Sequence, residues 1–399
     1  MNPDLEKLHP YPFEKLNALK SGIKPPEQLR HIALSIGEPK HPAPEFVKQA
    51  LISSLDRLEV YPLTKGLPEL RESISEWLTQ RFKLNNISPE TEILPVNGTR
   101  EALFSFAQAV IEQSPDALVL SPNPFYQIYE GAALLAGAQP YFLNCTVETN
   151  FAPDFDAVSK ETWDKCQLIY LCSPGNPTGA VLSIETLQKL IKLADQHNFI
   201  IASDECYSEI YQDEENPPPG LLQACAEMER QDYQRCVVFH SLSKRSNLPG
   251  LRSGFVAGDA ELLKSFLRYR TYHGCAMPIP TQLASISAWK DEHHVKENRD
   301  KYREKFEIFQ QVLGDTLPLD MPEAGFYLWS NTLPAAKGSD EDFARELFAK
   351  QNVTVLPGRY LGRVSDGINP GENRIRMALV APVDECREAA ERIKRFIHS

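Results

Sequence analysis

Short apolar runs that alternate with helical stretches constrain the fold of this chain more than any other feature. The runs lie at residues 117–120, 168–171, 199–202, 236–239 and 255–257. Helical patterns, such as the one at residues 184–197, lie between them. Near-continuous hydrophobic strands that alternate with helices are typical of a mostly parallel sheet covered by helices on both faces. The sequence therefore predicts the α/β class.

The length of the chain, 399 residues, predicts more than one domain. Additional helices are predicted near residues 45–58, from after Pro68 to about residue 82, and from residue 98 to about residue 113. A long charged helix at residues 285–313 leads away from the sheet, and the patterns after it predict a smaller α+β domain. We expect a large domain at residues 51–290 and a small one at residues 291–399. The Pro-rich N-terminal segment, residues 1–50, is expected to pack with the small domain and to make it discontinuous.

Composition excludes several classes of function. The net charge of −12 argues against non-specific binding to nucleic acid or to an anionic membrane. No run of 18 apolar residues occurs and the first residues do not resemble a signal peptide, so we expect a cytoplasmic protein that does not enter a membrane. The eight cysteines are scattered, as is typical of reduced cysteines. His293 and His294 are neighbours on a predicted helix and point in different directions, so no metal site is expected.

One lysine, Lys244, follows the apolar run 236–239 in a Ser-rich segment, and Arg252 follows it within Gly-Leu-Arg-Ser-Gly. A desolvated amine near other cations loses its proton easily and can form a Schiff base with an aldehyde. The sequence therefore suggests Lys244 as the amine that binds an aldehyde cofactor. The alternative is an ordinary surface lysine.

Other polar residues also follow apolar runs, where open α/β sheets bind ligands. Asp204 could keep a pyridine nitrogen protonated, and Tyr207 and Asn176 could reach the phenolic oxygen of the same ring. Tyr126 could stack on that ring. The alternatives are a backbone-bonded aspartate, core tyrosines and a tight Asn-Pro-Thr-Gly turn.

A phosphate site is predicted where Gly98, Thr99 and Arg100 open a helix, because backbone N–H groups and the helix dipole favour an anion there. The alternative is an ordinary helix start with Thr99 as its cap. Arg376 lies in a strand-like pattern and suits a carboxylate through its fork of donors. Arg374 shares the same facing by period two, so the spacing does not choose between these two arginines.

The order of these motifs resembles the class I/II aminotransferases of fold type I, which use pyridoxal 5′-phosphate. The motifs are Asn-Pro-Thr-Gly (176–179), Asp-x-x-Tyr (204–207), Ser-x-Ser-Lys (241–244), Gly-Leu-Arg-x-Gly (250–254) and a late arginine. The resemblance covers essentially the whole chain. It implies that Lys244 binds the cofactor aldehyde within the large domain and moves the proton at the substrate Cα.

The same resemblance implies roles for the other candidates. Asp204 would contact the ring nitrogen, Asn176 and Tyr207 the phenolic oxygen, and Tyr126 would stack on the ring. The residues implied around the phosphate are Gly98, Thr99, Arg100, Ser241, Ser243 and Arg252. Gly37, Asn176 and Arg376 match the positions that bind the substrate, with Gly37 and Arg376 on its α-carboxylate. Tyr61 resembles a tyrosine that reaches the phosphate across a dimer interface, so a homodimer is implied.

Longer segments resemble the succinyldiaminopimelate transaminases of proteobacteria. They lie at residues 37–42, 98–104, 123–138, 204–211, 241–247 and 269–278. This resemblance implies a small-molecule reaction of diaminopimelate and lysine biosynthesis. N-succinyl-LL-2,6-diaminopimelate and 2-oxoglutarate would give N-succinyl-2-amino-6-oxopimelate and glutamate.

Other functions share these motifs. Pyridoxal-phosphate lyases, such as C–S lyases, use the same site, and sibling aminotransferases act on acetylornithine or aspartate-like substrates. A cofactor-binding transcription regulator would need an added DNA-binding domain, for which the sequence has no pattern. Arg245 and Arg270 are candidates for binding the distal carboxylate or the succinyl group, and the alternative for Arg245 is an arginine at the rim or surface.

Overall fold

The structure, a computed structural model, describes residues 1–335 and 337–399. In these residues the α-helices α1 to α14 span Pro12–Lys20, Glu45–Ile52, Pro68–Phe82, Thr99–Val110, Ile128–Leu135, Lys160–Lys165, Ile184–His197, Leu221–Glu227, Leu242–Arg245, Ala260–His273, Ile279–Trp289, His293–Leu313, Asp340–Gln351 and Val383–Ile397. The strands β1 to β12 span Ile32–Ala33, Ile93–Val96, Leu118–Asn123, Gln139–Asn144, Cys166–Cys172, Ile200–Asp204, Cys236–Ser241, Gly254–Gly258, Tyr327–Asn331, Val353–Thr354, Leu356–Pro357 and Arg374–Ala378. Within the described ranges, no helix is long and apolar enough to cross a membrane.

The large sheet has seven strands in the described part of the chain, in the order β2-β8-β7-β6-β5-β3-β4. Strands β4, β3, β5, β6 and β7 pair in parallel, whereas β8 is antiparallel to both β7 and β2. All the predicted apolar runs lie in or overlap these strands, and β2 and β4 are additional to the prediction. The predicted mostly parallel sheet is confirmed.

Helices cover both faces of this sheet. Along β5, Ile169 and Leu171 belong to one hydrophobic cluster, together with residues of α3, α7 and α11. The intervening Leu168 and Tyr170 belong to a second cluster, together with residues of α4, α5 and α10. Because side chains alternate between the faces of a strand, this division means that both faces are buried. The α/β class is therefore confirmed.

A separate core lies around the antiparallel sheet β11-β12-β9. Ile32 and Leu34, from the N-terminal segment, are fully buried in it beside Phe306 of α12 and Phe396 of α14. Strand β1 also pairs in parallel with β10. These contacts join the two ends of the chain, while the domain limits at residues 50 and 290 stay a prediction.

The predicted helix at residues 285–313 is wrong in its extent, because the structure has two helices there, α11 and α12. The Arg245 guanidinium donates to the Ala288 carbonyl at 2.8 Å, near the end of α11. The Asp291 carboxylate then accepts the backbone N–H of His294 at 3.0 Å and caps the start of α12. A contact from a distant arginine is not visible in helical periodicity.

The predicted helix at residues 45–58 is also too long, since α2 ends at Ile52 and a 3-10 helix, Leu55–Glu59, follows. Both Ser53 and Ser54 donate their hydroxyl groups to the Ala50 carbonyl. Serine hydroxyls compete for backbone carbonyls in this way and favour helix ends. In contrast, the helix predicted to begin after Pro68 and to end near residue 82 matches α3 to within one residue.

Candidate active site

A cavity of about 890 Å³ lies at the carboxyl ends of the parallel strands β5, β6 and β7. This is the edge at which open α/β sheets bind ligands. The structure brings most of the predicted site residues together on its wall. These residues are Gly37, Thr99, Arg100, Tyr126, Asn176, Asp204, Tyr207, Ser241, Ser243, Lys244, Arg252 and Arg376.

Lys244 lies in α9, a helix of a single turn that directly follows β7. Ser241 caps this helix, because its hydroxyl accepts the Ser243 backbone N–H at 3.0 Å. The Lys244 amine donates to the Gly37 carbonyl. Burial, together with the nearby charges of Arg376 and Arg252, lowers the pKa of this amine to about 8. Lys244 therefore lies on the cavity wall, and its amine loses its proton more easily than that of a solvated surface lysine.

Asp204 ends β6 and is 5% exposed. Its carboxylate accepts the Tyr129 hydroxyl at 2.8 Å and the Cys206 backbone N–H at 3.2 Å. Neither donor carries a charge, and burial raises the pKa of the Asp204 carboxyl. A cationic group in the cavity would compensate this carboxylate, so the site fits a protonated ring nitrogen.

The start of α4 has the groups of an anion-binding site. Gly98 is the N-cap with a φ of 82°, and no side chain caps the helix. The Thr99 hydroxyl contacts the Cys206 thiol at 3.1 Å instead, so the alternative reading of Thr99 as a cap is wrong. A Cβ at Gly98 would collide with the Arg252 guanidinium. Free N–H groups of a helix N-terminus beside an arginine and the Ser241–Ser243 hydroxyl pair fit a phosphate.

Arg376 faces the cavity, whereas Arg374 does not. The Arg376 guanidinium donates to Asn176 Oδ1 at 2.9 Å and to the Ser35 carbonyl at 2.7 Å. Its Nε atom is buried without a partner among the described residues. The Arg374 guanidinium instead lies 4.7 Å from the centre of the Phe151 ring. Arg376 is thus the arginine of this pair that can receive a carboxylate from a ligand.

Two parts of the site were missed by the sequence reasoning. The Tyr327 hydroxyl lies 2.9 Å from the Tyr207 hydroxyl, and the Arg376 guanidinium stacks over the Tyr327 ring at 4.4 Å. Tyr327 also lies against Gly37, where an added Cβ would meet its hydroxyl. The sequence signal for Tyr327 was weak, because Gly-Phe-Tyr at residues 325–327 is typical of an ordinary strand start.

The second missed part is α1, which covers one side of the cavity. Both α1 and the residue before it, Tyr11, contribute to the wall. The wall residues of this segment are Tyr11, Pro12, Phe13, Glu14 and Asn17. The Arg100 guanidinium lies 5.4 Å from the centre of the Tyr11 ring. Pro12 at the first helical position was the available signal, since proline is favoured there.

The structure does not bring Arg245 or Arg270 to the cavity, so their prediction as ligands of a distal carboxylate is wrong. Arg245 is 2% exposed, pairs with Glu292, and lies 4.8 Å from the Trp289 ring. It is a core arginine, so the alternative of a rim or surface position is wrong as well. Arg270 is 1% exposed and pairs with Glu101 at 2.8 Å.

Tyr61 is 97% exposed and is not part of the cavity wall. Its predicted contact with a phosphate of a second subunit stays a prediction.

Comparison with known proteins agrees with this geometry. The family model for Aminotransferase class I and II matches residues 30–393. An LL-diaminopimelate aminotransferase from Aquifex aeolicus is 33% identical over 396 residues, which are 98% of each chain. An aminotransferase structure from Neisseria meningitidis superposes with a TM-score of 0.93 at 51% identity, over 98% of this chain and 99% of the other. A probable N-succinyldiaminopimelate aminotransferase from Thermus thermophilus superposes with a TM-score of 0.84 at 27% identity, over 96% and 100%.

Proposed function

Since the chain belongs to the class I and II aminotransferase family, we propose that it is a succinyldiaminopimelate transaminase. The members of this family depend on pyridoxal phosphate, and the chain has the fold of type I. The proposed reaction moves the 6-amino group of N-succinyl-LL-2,6-diaminopimelate to 2-oxoglutarate and releases N-succinyl-2-amino-6-oxopimelate and glutamate. The amino group and the oxo group exchange places, so the reaction needs no oxidant.

The residues of the cavity fit pyridoxal phosphate. When bound, this cofactor supplies an aldehyde that takes up amino groups and a ring that withdraws electrons from the substrate Cα. Lys244 would bind the aldehyde carbon and carry the proton at the substrate Cα. Asp204 would hold a proton at the ring nitrogen. Asn176 and Tyr207 would donate to the phenolic oxygen, and Tyr126 would stack on the ring.

The phosphate would be held by Gly98, Thr99, Arg100, Ser241, Ser243 and Arg252. The side-chain nitrogen of Asn176 is free to donate into the cavity, because its oxygen already accepts Arg376 at 2.9 Å. Arg376 would bind the α-carboxylate of the substrate, next to the backbone of Gly37. A charge-assisted contact of this type contributes roughly 1.5–3 kcal/mol.

The observation that carries the choice of substrate is the structural similarity to the probable N-succinyldiaminopimelate aminotransferase from Thermus thermophilus. The resemblance of long segments, including residues 123–138 and 269–278, to succinyldiaminopimelate transaminases supports the same choice. The size of the cavity agrees with it. Its volume, about 890 Å³, lies near the upper end of the usual range for small-ligand sites, about 300–1,000 Å³. A cofactor and an extended dicarboxylic substrate need such room.

The relative from Aquifex aeolicus favours a second candidate, an LL-diaminopimelate aminotransferase. The two candidates share the diaminopimelate skeleton and differ in the succinyl group. A kinetic comparison separates them. The purified protein is supplied with pyridoxal phosphate and 2-oxoglutarate, and glutamate is measured with N-succinyl-LL-diaminopimelate, LL-diaminopimelate and N-acetylornithine as donors.

We expect kcat/KM for the succinylated donor to exceed that for LL-diaminopimelate by about a hundredfold, since the succinyl carboxylate adds contacts worth about 2.7 kcal/mol. The reverse order would establish the second candidate. A higher kcat/KM with N-acetylornithine than with either diaminopimelate would contradict both.

We also propose a homodimer. A group of exposed apolar side chains extends from the end of α2 through the loop before α3, and its members are Ile52, Leu55, Leu58, Val60, Tyr61 and Leu63. Several exposed apolar side chains within one short segment favour an interface. A second copy of the chain is the partner that the predicted role of Tyr61 requires.

The eight cysteines are all free, which supports the proposed location in the reducing cytoplasm.

A further inference from the structure

A buried lysine outside the cavity, Lys305 of α12, has an imidazole as its partner where a carboxylate would be expected. Its side chain is 0% exposed, and its Nζ atom lies 2.6 Å from Nε2 of His41. Among the residues that the structure describes, no carboxylate forms an ion pair with it. Burial lowers the pKa of the Lys305 amine to about 8 and that of His41 to about 4. At neutral pH the charge therefore lies on Lys305 and His41 is neutral.

The contacts of His41 extend this pair into a chain of hydrogen bonds that ends at the backbone of Lys244. Because Lys305 donates to Nε2, the single ring proton of His41 lies on Nδ1. The Nδ1 atom is 2.9 Å from Oδ1 of Asn298. The side-chain nitrogen of Asn298 then donates to the carbonyl of Lys244 at 3.1 Å and to that of Arg245 at 3.3 Å. Each donor thus points from Lys305 toward the turn that carries Lys244.

This turn needs external hydrogen bonds. Helix α9 has four residues, Leu242–Arg245, and the last carbonyls of a helix have no partner within it. Asn298 satisfies two of them. Asn298 is itself fixed by Asn247, whose side-chain nitrogen donates to Oδ1 at 2.7 Å from a left-handed backbone with a φ of 51°. The C-terminal end of α9 therefore depends on one asparagine of α12.

The loop at residues 37–41 contacts Lys244 from two sides. At one end of the loop, the Gly37 carbonyl accepts the Lys244 amine. At the other end, His41 orients the asparagine that binds the Lys244 carbonyl. The loop therefore connects the reactive amine with the backbone that carries it.

We propose that Lys305, His41 and Asn298 are positioning residues of the aminotransferase. The Lys305 ammonium orients His41, His41 orients Asn298, and Asn298 fixes the backbone of Lys244. None of the three residues is on the cavity wall, so their effect on the reaction is indirect. This inference rests on the proposed function for its kinetic readout only.

Two variants and one control test it. Lys305→Met removes the charge at similar side-chain length. Asn298→Asp keeps the acceptor for His41 but removes the donor to the two carbonyls, with almost no change in volume. Lys301→Met, at an exposed lysine of the same helix, is the matched control.

Amide hydrogen exchange is measured on the cofactor-free proteins, with attention to Ser246 and Leu248. The N–H groups of both residues bond to the Leu242 carbonyl, at 3.1 Å and 3.3 Å. We expect at least about tenfold faster exchange at residues 242–248 in Lys305→Met and Asn298→Asp, because loss of one hydrogen bond weakens the turn locally. The rest of the large sheet and the control should keep the exchange of the wild type.

The kinetic arm uses the amino donor that the wild-type holoenzyme turns over. Each variant should lower kcat about tenfold and change KM by less than about twofold, since the reacting amine is displaced while the substrate contacts stay. The double variant Lys305→Met/Asn298→Asp should be no slower than Asn298→Asp alone, because the lysine acts through the asparagine.

Additive losses of kcat in the double variant would overturn the proposal, and so would wild-type exchange at residues 242–248 in Asn298→Asp. If Lys305→Met does not fold, the exchange and the kcat of Asn298→Asp decide the question. If the wild type turns over no diaminopimelate, the proposed function fails, and the exchange of the cofactor-free proteins still decides the positioning role.

Discussion

At the scale of single residues, the proposed function depends on the Lys244 amine, whose pKa is lowered. An ordinary lysine has a pKa near 10.4, so only about one amine in 2,500 is free of its proton at pH 7. With the pKa lowered by burial to about 8, the fraction for Lys244 is about a tenth. The lowered pKa therefore raises the unprotonated fraction of this amine more than a hundredfold above that of an ordinary lysine.

Lys244→Ala should abolish essentially all turnover, because both the bond to the cofactor aldehyde and the carrier of the Cα proton are lost. Borohydride should attach the cofactor to the Lys244 peptide in the wild type, as mass spectrometry would show, and to no single peptide in the variant. Lys290→Ala, at an exposed lysine, serves as the control and should keep full activity. An active Lys244→Ala protein would assign the chemistry to another amine.

Residues of the site could be predicted where their position at the end of a parallel strand was enough to place them. Asp204 ends one buried parallel strand and Asn176 follows another, and the carboxyl ends of these strands meet at one edge. Arg245 could not be predicted, because its burial depends on Trp289 and Glu292, more than forty residues away. Tyr327 was missed for a similar reason, since its hydroxyl partner is Tyr207, 120 residues earlier.

At the scale of elements, α1 forms one wall of the cavity. A small apolar cluster holds this helix in place. Leu16 is 3% exposed and packs in a cluster with Trp329 and Leu356. Leu16→Ala should weaken the docking of α1 by roughly 2–5 kcal/mol, the usual cost of truncating a buried leucine.

Because α1 carries wall residues, we expect this variant to raise KM for the amino donor several-fold and to speed proteolysis within the first 25 residues. The melting temperature of the large sheet should change little. Ala18→Ser, at an exposed position of the same helix, is the control. An unchanged KM together with faster proteolysis would show that α1 does not shape the substrate site.

Elements were predictable where local signals mark their ends. Helix α3 begins at Pro68 and ends before Lys83, whose left-handed φ of 53° stops it. The break between α11 and α12 carries no proline or glycine, and the contacts that fix it come from Arg245. Helical periodicity continues through such a break, so the sequence alone predicts one helix.

At the scale of the whole molecule, the exposed apolar group between α2 and α3 predicts a dimer of 45.0 kDa chains. Leu58→Asp combined with Leu63→Asp should shift the mass measured by light scattering from twice the chain mass to the chain mass. The buried charges would oppose association at this face. Turnover should fall in parallel, because the proposed contact of Tyr61 with a second subunit would be lost.

Leu333→Asp, at an exposed leucine outside this group, should leave both mass and activity unchanged. A dimeric double variant with full activity would place the interface elsewhere on the surface.

The 21-residue helix α12 has a mechanical consequence for the molecule. At about 1.5 Å per residue it is roughly 31 Å long. It starts beside Arg245 under the large sheet and ends with Phe306, Phe309 and Leu313 inside the separate core. Because a helix is stiff, it transmits rotation as a rod does. A tilt of the separate core about the break at residues 290–292 would move Asn298 as well. Because Asn298 binds the Lys244 carbonyl, such a tilt would also displace Lys244.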